Sequence, residues 1–218
     1  MNAPPPPLHF SNRPEARPEP IHLYCATGNP GKVREFRLAA GERALPPVEI
    51  ELAPNFHDLP PCVEDSDSFG GNAMIKAVHY SRHVAGLVFA DDSGLTVDAL
   101  GGAPGVYSAR FSGPNATDEA NNRLLLEKLR GAEDRSAHFV CVIALASGGR
   151  VSGLYAGSVS GTILEAPRGS GGFGYDPLFF YPPFEQTFGE MDEERKFTIS
   201  HRGQALRAML RALAPARK

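Results

Sequence analysis

The order of apolar segments along the chain constrains its fold more than any other feature of the sequence. Early segments alternate between short apolar runs, typical of buried strands, and segments with apolar residues every three or four positions, typical of helices. Two long apolar segments, HFVCVIALA and RVSGLYAGSVSGTI, then follow each other directly around the turn residues SGG. Interleaved helices and strands favour a parallel sheet, whereas an adjacent strand pair favours an antiparallel hairpin. The sequence therefore predicts an α/β protein with a mixed sheet.

Four helices are predicted from capping residues and apolar periodicity. The first follows Asn29, a good N-cap, and has Pro30 at its first position. The second covers about 68–84, the third covers 117–131, and the last begins after the N-cap Ser200.

Composition excludes several classes of protein. The net charge of −3 is not arranged in blocks, so we expect no nucleic-acid partner. No apolar run reaches about 18 residues and the N-terminus has no secretory apolar segment, so we expect no membrane association. The three cysteines are far apart and odd in number. They predict neither a disulfide framework nor a zinc site, and they suit a reducing, cytoplasmic location.

The N-terminal segment MNAPPPPLHFSNRPEARPEP differs in composition from the rest of the chain. It is rich in proline and poor in apolar residues, so it cannot bury enough surface to offset the entropy of ordering. We expect residues 1–20 to be a flexible tail and residues 21–218 to fold as a single domain, with two lobes allowed by its length.

The segment TGNPGK, Thr27–Lys32, lies between the first predicted strand and the first helix. A helix N-terminus binds anions, Gly28 and Gly31 allow a ligand to approach the backbone, and Lys32 adds a full charge. Only two residues separate these glycines, and Val33 stands where a P-loop carries Ser or Thr. At this point the segment is either an anion-binding loop or a glycine-rich turn with a solvated lysine.

Two adjacent acids, Asp91 and Asp92, end the apolar run GLVFA. Buried carboxylates are unfavourable unless they are paired or bound to metal. One interpretation is an aspartic protease, in which a dimer supplies the second carboxylate. A second is a site for Mg²⁺, which binds carboxylates together with phosphate oxygens, and in which a carboxylate deprotonates water. A third is a structural pair without chemistry.

A further acidic segment, EDSDSFGGNA, precedes the second predicted helix. Asp65 and Asp67 fit the favourable negative charge of a helix N-terminus. Glu64 lies outside the helix and could reach a metal ion.

The segments GSGGFGYDPLFF and EERKFTISHRG combine a glycine-rich loop with aromatic and charged side chains. Together these groups can stack on a nucleobase, bind its edge and hold phosphate. Taken singly, the histidine could equally be a capping residue and the lysine a solvated charge. The side chains concerned are Phe173, Tyr175, Asp176, Lys196, His201 and Arg202.

Four segments, ATGNPGKVREF, ADDSGLTVDALGGAPGVYSARF, GGFGYDPLFF and ISHRGQAL, resemble in this order the motifs of the inosine triphosphate pyrophosphatase family. The resemblance covers about residues 21–212. It implies an elongated α/β fold with two lobes around a mixed sheet, so that residues 21–218 form one catalytic domain. It also implies a homodimer, Mg²⁺ dependence, and hydrolysis of ITP, dITP or XTP to the monophosphate and pyrophosphate.

The resemblance also implies roles for individual residues. Asp92 would accept the proton of the attacking water and, with Glu64, bind Mg²⁺, while Ser93 would contact the substrate. A nucleotide-binding module without catalysis would share these motifs but would release no pyrophosphate. The implied triphosphate loop is Thr27, Gly28, Asn29, Pro30, Gly31 and Lys32, and the implied nucleotide pocket is Phe173, Gly174, Tyr175, Asp176, Lys196, His201 and Arg202.

Overall fold

A computed structural model describes residues 20–40 and 47–214, with side chains throughout these ranges except at positions 39 and 40. The predicted flexible tail, residues 1–20, lies outside the described residues apart from Pro20.

A single seven-stranded sheet lies at the centre of the described part of the chain. Its strands are β1 (Ile21–Cys25), β2 (Val48–Leu52), β3 (Leu87–Val97), β4 (Ser136–Ser147), β5 (Arg150–Ile163), β6 (Phe179–Tyr181) and β7 (Gln186–Thr187). The strand order is β2-β1-β3-β4-β5-β6-β7. Strand β1 pairs in parallel with β2 and β3, and all other neighbours are antiparallel. The predicted α/β fold with a mixed sheet is therefore confirmed.

Helices flank the sheet on both faces. They are α1 (Pro30–Ala40), α2 (Phe69–Tyr80), α3 (Asp118–Lys128), α4 (Glu193–Ile199) and α5 (His201–Leu213). Phe36 of α1 and Leu206 of α5 pack in one core cluster with Phe89 of β3. Ala77 of α2 packs in another with Ala90. Because successive strand residues point to opposite faces, α1 and α5 lie on one face and α2 on the other.

The predicted hairpin is confirmed. Strands β4 and β5 pair from Ser136↔Thr162 to Ser147↔Arg150. Gly148 and Gly149 turn the chain with φ values of 56° and 80°. Two consecutive residues with positive φ match the twist of a two-residue hairpin, which explains the glycines at this turn.

Strand β3 differs from the prediction, which ended it at the acid pair. It continues through Asp91 and Asp92 to Val97, and these acids pair with Ile143 and Val142 of β4. The Asp-Ser-Gly sequence has turn propensity, but pairing with a long neighbouring strand overrides it. Consequently the two acids lie in mid-strand and point to opposite faces of the sheet. The short elements β2, α4, β6 and β7 were also missed, and the division into two lobes stays a prediction.

The main chain of helix α5 packs directly against the main chain of strand β5. A Cβ atom at Gly157 would overlap the main-chain oxygen of His201 and lie 2.7 Å from the nitrogen of Ala205. The Ser200 hydroxyl caps the helix by accepting a hydrogen bond from Gly203 N. The start of α5 is thereby fixed against the sheet.

Gly157→Ala is expected to lower the free energy of unfolding by about 1–3 kcal/mol, because the added methyl group must displace the main chain of α5. Gly70→Ala is the matched control, since a Cβ there meets no atom within 4 Å and alanine is favoured over glycine in helices. Urea denaturation measures both variants. Equal unfolding midpoints would contradict the close contact between α5 and β5.

Candidate active site

Asp91 is a fully buried carboxylate on the face covered by α1 and α5. Its Oδ2 atom lies 2.8 Å from Lys32 Nζ, accepts a hydrogen bond from Ser93 Oγ at 3.1 Å, and lies 3.8 Å from Arg202 Nε. Burial alone would raise the pKa of Asp91, but the attraction of Lys32, Arg202 and Lys76 holds it at about 2. Asp91 is therefore a permanent anion that serves as counterion to two cations.

Beyond Arg202 the ion pairs continue into the predicted nucleotide pocket. Arg202 Nη1 donates to Glu35 Oε2, and Lys196 Nζ contacts Glu35 Oε1 at 2.9 Å and Asp176 Oδ2 at 2.7 Å. Cations and carboxylates thus alternate along one row of mostly buried side chains, and each charge has a partner of opposite sign. We call this row the buried charge chain, and its members are Lys32, Asp91, Arg202, Glu35, Lys196 and Asp176.

Asp92 lies on the opposite face of β3, against α2. Its carboxylate accepts a hydrogen bond from Asn72 Nδ2 at 3.2 Å and contacts Lys76 Nζ at 3.3 Å. The same Lys76 Nζ lies 2.7 Å from Glu64 Oε2. Burial raises the pKa of Asp92, although Lys76 opposes the shift. A raised pKa brings a carboxylate closer to the proton affinity that a general base requires.

One cleft of about 370 Å³ brings most of the predicted site residues together. Two predicted residues do not line it: Pro30 lines a neighbouring groove, and Gly31 lies behind Phe173, where a Cβ atom would be 3.1 Å from the ring. The predicted residues that line the cleft are Thr27, Gly28, Asn29, Lys32, Glu64, Asp92, Ser93, Phe173, Gly174, Tyr175, Asp176, Lys196, His201 and Arg202.

The loop at the start of α1 is organised by Asn29. Its Oδ1 atom accepts hydrogen bonds from Gly31 N at 2.9 Å and Lys32 N at 3.3 Å, as an N-cap does. Thr27 Oγ1 accepts from Asn29 N at 3.2 Å. The Lys32 side chain reaches inward to Asp91 rather than into solvent, so the alternative of a solvated lysine is wrong.

The glycine-rich loop is held at the cleft by its main chain. Gly174 N donates to Asp118 Oδ2 at 2.6 Å, and Gly174 O accepts from Asn122 Nδ2 at 2.9 Å. Tyr175 Oη donates to Ser108 O at 2.9 Å. Helix α3 and the segment before it therefore fix the loop that carries the predicted stacking face.

Phe173 and His201 present aromatic rings close to the cations of the pocket. The Lys196 ammonium lies 5.2 Å and the Arg202 guanidinium 5.5 Å from the centre of the Phe173 ring. His201 stacks on Phe139 with a 4.8 Å centroid separation. Burial, reinforced by nearby cations, lowers the pKa of His201 well below its usual value, so the ring is neutral at pH 7. Within the described ranges its Nδ1 atom has no hydrogen-bond partner.

Sequence reasoning missed several residues at this site. Glu35 lies three positions after Lys32, so the two side chains share one face of α1. Lys76 lies one turn from Ala73 and from Tyr80, so it shares a face of α2 with them. Helical spacing could therefore have indicated both residues. Arg110 also lines the cleft and packs over the ring of Tyr107. Of the lysines and arginines that line the cleft, Arg110 is the one without an acidic partner among residues 20–40 and 47–214.

The geometry distinguishes between the interpretations of the acid pair. An aspartic protease needs two carboxyl groups sharing one proton. Instead, Asp91 contacts Lys32, and Asp92 contacts Lys76. No group of three or more His, Cys, Asp or Glu side chains that could hold a metal occurs in the described part of the chain. Glu64 and Asp92 nevertheless converge on a single cation, the Lys76 ammonium. In proteins, Mg²⁺ is commonly bound by one or two carboxylates together with substrate phosphate oxygens.

The fold and the cleft define an α/β protein with a charged cleft that also carries an aromatic ring. More particularly, the chain belongs to the Ham1 family, whose model matches residues 23–212. The resemblance noted in the sequence motifs is thereby confirmed.

Known relatives match over most of their length. A dITP/XTP pyrophosphatase of Exiguobacterium sp. is 46% identical over 197 residues, covering 89% of this chain and 98% of that protein. A dITP/XTP pyrophosphatase of Thermus thermophilus is 50% identical over 194 residues, covering 88% of this chain and 91% of that protein. The structure of a HAM1 protein from Coxiella burnetii is 38% identical with a TM-score of 0.79, covering 88% and 98% of the two chains. The Staphylococcus aureus Ham1 protein is 36% identical with a TM-score of 0.78, covering 88% and 97%.

Asp91→Asn is expected to lower the free energy of unfolding by about 3–5 kcal/mol, because it leaves Lys32 and Arg202 buried without their shared anion. The matched variant Asp92→Asn is expected to lose much less, since the Asp92 side chain is 12% exposed against 0% for Asp91 and its pKa is raised rather than lowered. Urea denaturation at pH 7 compares the two. Equal losses would show that the adjacent acids do not have separate structural roles.

Proposed function

We propose that the protein is a nucleoside triphosphate pyrophosphohydrolase that converts deaminated purine nucleotides, ITP, dITP and XTP, to the monophosphate and pyrophosphate. The observation that carries the proposal is a single cleft in which Asp92 and Glu64 face the loop at 27–32 and the pocket around Phe173. The names of the Exiguobacterium and Thermus relatives, dITP/XTP pyrophosphatase, support it. The cellular role is removal of these nucleotides before polymerases incorporate them.

Mg²⁺ is the proposed cofactor, held by Glu64 and Asp92 together with phosphate oxygens of the substrate. The donor set fits, because both carboxylates already contact one cation, Lys76, at the edge of the cleft. When bound, the ion would neutralise phosphate charge and lower the pKa of water.

Asp92 is the proposed proton acceptor for the water that attacks the α-phosphorus. Its contacts with Asn72 and Lys76 fix the carboxylate, and burial raises its pKa. Lys32 and the N-terminus of α1 line the same cleft, where they would stabilise the charge that develops on the departing pyrophosphate. Ser93 lies beside them and contacts Arg202 through its hydroxyl group at 2.9 Å.

The purine is proposed to stack on Phe173 and to be selected at its six position. Hypoxanthine and xanthine carry an acceptor oxygen there, whereas adenine carries a donor amino group. We assign recognition of that acceptor to Arg202 or to main-chain N–H groups of the pocket. A site whose buried donors face the wrong group can discriminate by about 10⁴-fold. Guanine shares the oxygen, so its exclusion is assigned to its 2-amino group.

The remaining proposals concern assembly and location. We propose a homodimer and a single catalytic domain of two lobes over residues 21–218, in line with the family resemblance. A cytoplasmic location without nucleic-acid or membrane partners is proposed from the cysteine content and the net charge of −3. None of the helices in the ranges that the structure describes has the length and apolar character needed to cross a bilayer.

Pyrophosphate release from ITP, dITP, XTP, ATP and GTP, with and without Mg²⁺, tests the proposal. We expect fast Mg²⁺-dependent release from the first three and about 10²–10⁴-fold lower kcat/KM for ATP, because buried donors would face its amino group. Equal turnover of ATP and ITP would refute the substrate class, and peptide cleavage without pyrophosphate release would refute the reaction.

The control is Asp92→Asn, which keeps the shape of the side chain but removes the proton acceptor. Its turnover of ITP should fall by about 10²–10⁴-fold with the fold retained. Turnover close to that of the unmodified protein would remove Asp92 from the mechanism.

A further inference from the structure

Asn72 is a buried polar residue of α2, 1% exposed, that lies outside the set of residues lining the cleft. Both the nitrogen and the oxygen of its side-chain amide form hydrogen bonds. Nδ2 donates a hydrogen bond to Asp92 Oδ2 at 3.2 Å, and Oδ1 accepts one from Ser66 N at 3.0 Å. The residue therefore connects the proposed base to the segment that precedes α2.

Only one orientation of this amide satisfies both neighbours. A carboxylate needs a donor and a main-chain N–H needs an acceptor, so exchanging the amide oxygen and nitrogen would break both hydrogen bonds. An aspartate could accept from Ser66 N but could not donate to Asp92 when ionised. An alanine could do neither.

The segment held by Asn72 is the one that carries Glu64. Ser66 lies two residues after Glu64, and its hydroxyl group accepts from Ser68 N at 3.2 Å. Ser68 in turn caps α2 by accepting from Gly71 N at 3.1 Å. A Cβ at Gly71 would overlap the Ser66 hydroxyl, so the segment packs directly on the first turn of α2. The direction in which Glu64 enters the cleft thus depends on the anchoring of Ser66.

We infer that Asn72 is a positioning residue that fixes Asp92 and the Glu64 segment relative to each other without touching the substrate. The inference rests on the proposed function, because that function assigns the roles of Asp92 and Glu64. The Asp92 carboxylate is held by two donors, Asn72 on Oδ2 and Lys76 on Oδ1. Without Asn72 the carboxylate keeps only its contact with Lys76 and can turn about its Cβ–Cγ bond, so the lone pairs available to a water change direction.

The kinetic test compares Asn72→Ala with Ser81→Ala in the full chain. Ser81 is a matched control at the C-cap of α2, at the opposite end of the helix from Asn72: it is 2% exposed, and its hydroxyl accepts from Gly149 N at 3.0 Å. Both variants lose buried hydrogen bonds and should lose comparable stability. With ITP and saturating Mg²⁺, Asn72→Ala should lower kcat by about tenfold or more and change KM by less than about threefold. A fall in kcat with little change in KM indicates the loss of an interaction that stabilises the transition state more than the bound substrate. Ser81→Ala should keep kcat.

Hydrogen exchange of the Ser66 amide provides a readout that is independent of activity. The exchange of this amide should accelerate in Asn72→Ala, because that variant lacks the acceptor for Ser66 N. It should stay slow in Ser81→Ala, where Asn72 is intact, and in Asn72→Asp, whose carboxylate still accepts from Ser66 N. Asn72→Asp should nevertheless show the lowered kcat, because it has no donor for Asp92. Unchanged Ser66 exchange in Asn72→Ala, a kcat equal to that of Ser81→Ala, or a fully active Asn72→Asp would overturn the inference. If the unmodified protein released no pyrophosphate, the proposed function would fail while the exchange data still tested the link to Ser66.

Discussion

The structure depends above all on the neutralisation of Asp91. This carboxylate side chain has no exposure, yet it contacts Lys32 from the first turn of α1 and Arg202 from the start of α5. Through Arg202 and Glu35 the pairing continues to Lys196 of α4, on the proposed nucleotide pocket. An uncompensated buried charge is strongly destabilising, so the cations cannot leave their places without loss of stability. The loop at 27–32, strand β3 and helix α5 are thereby held in one arrangement around the cleft.

The pleat of β3 explains how the adjacent acids Asp91 and Asp92 can have different roles. Asp91 points towards α1 and α5, where cations hold its pKa at about 2. Asp92, one residue later, points towards α2 and the cleft, where burial raises its pKa. Alternation along a strand therefore separates a permanent anion from a proposed proton acceptor. Asn72 and Lys76, both from α2, contact the second acid, and the charge of Lys76 also lowers the pKa of the first.

Local signals in the sequence predicted much of this arrangement. The SGG turn, the Asn29 and Ser200 caps and the apolar periodicity of the helices are local, and the structure contains the turn, the caps and the helices. The side chains in the cleft were identified from their chemistry in separate segments. The partners of those side chains were not, because Glu35 meets Lys196 and Arg202 across separations of 161 and 167 residues that no local pattern specifies. The mid-strand position of the acids was missed for the same reason, since it is set by pairing with β4.

A crystal structure of the Asp92→Asn variant with ITP and Mg²⁺ would test the central claim most directly. The account predicts that the triphosphate lies between the loop at 27–32 and residue 92, with the purine at Phe173 and Lys32 still bound to Asp91. An Asp91 carboxylate turned onto the metal or the triphosphate, or a nucleotide bound outside this cleft, would contradict the separation of roles between the two acids.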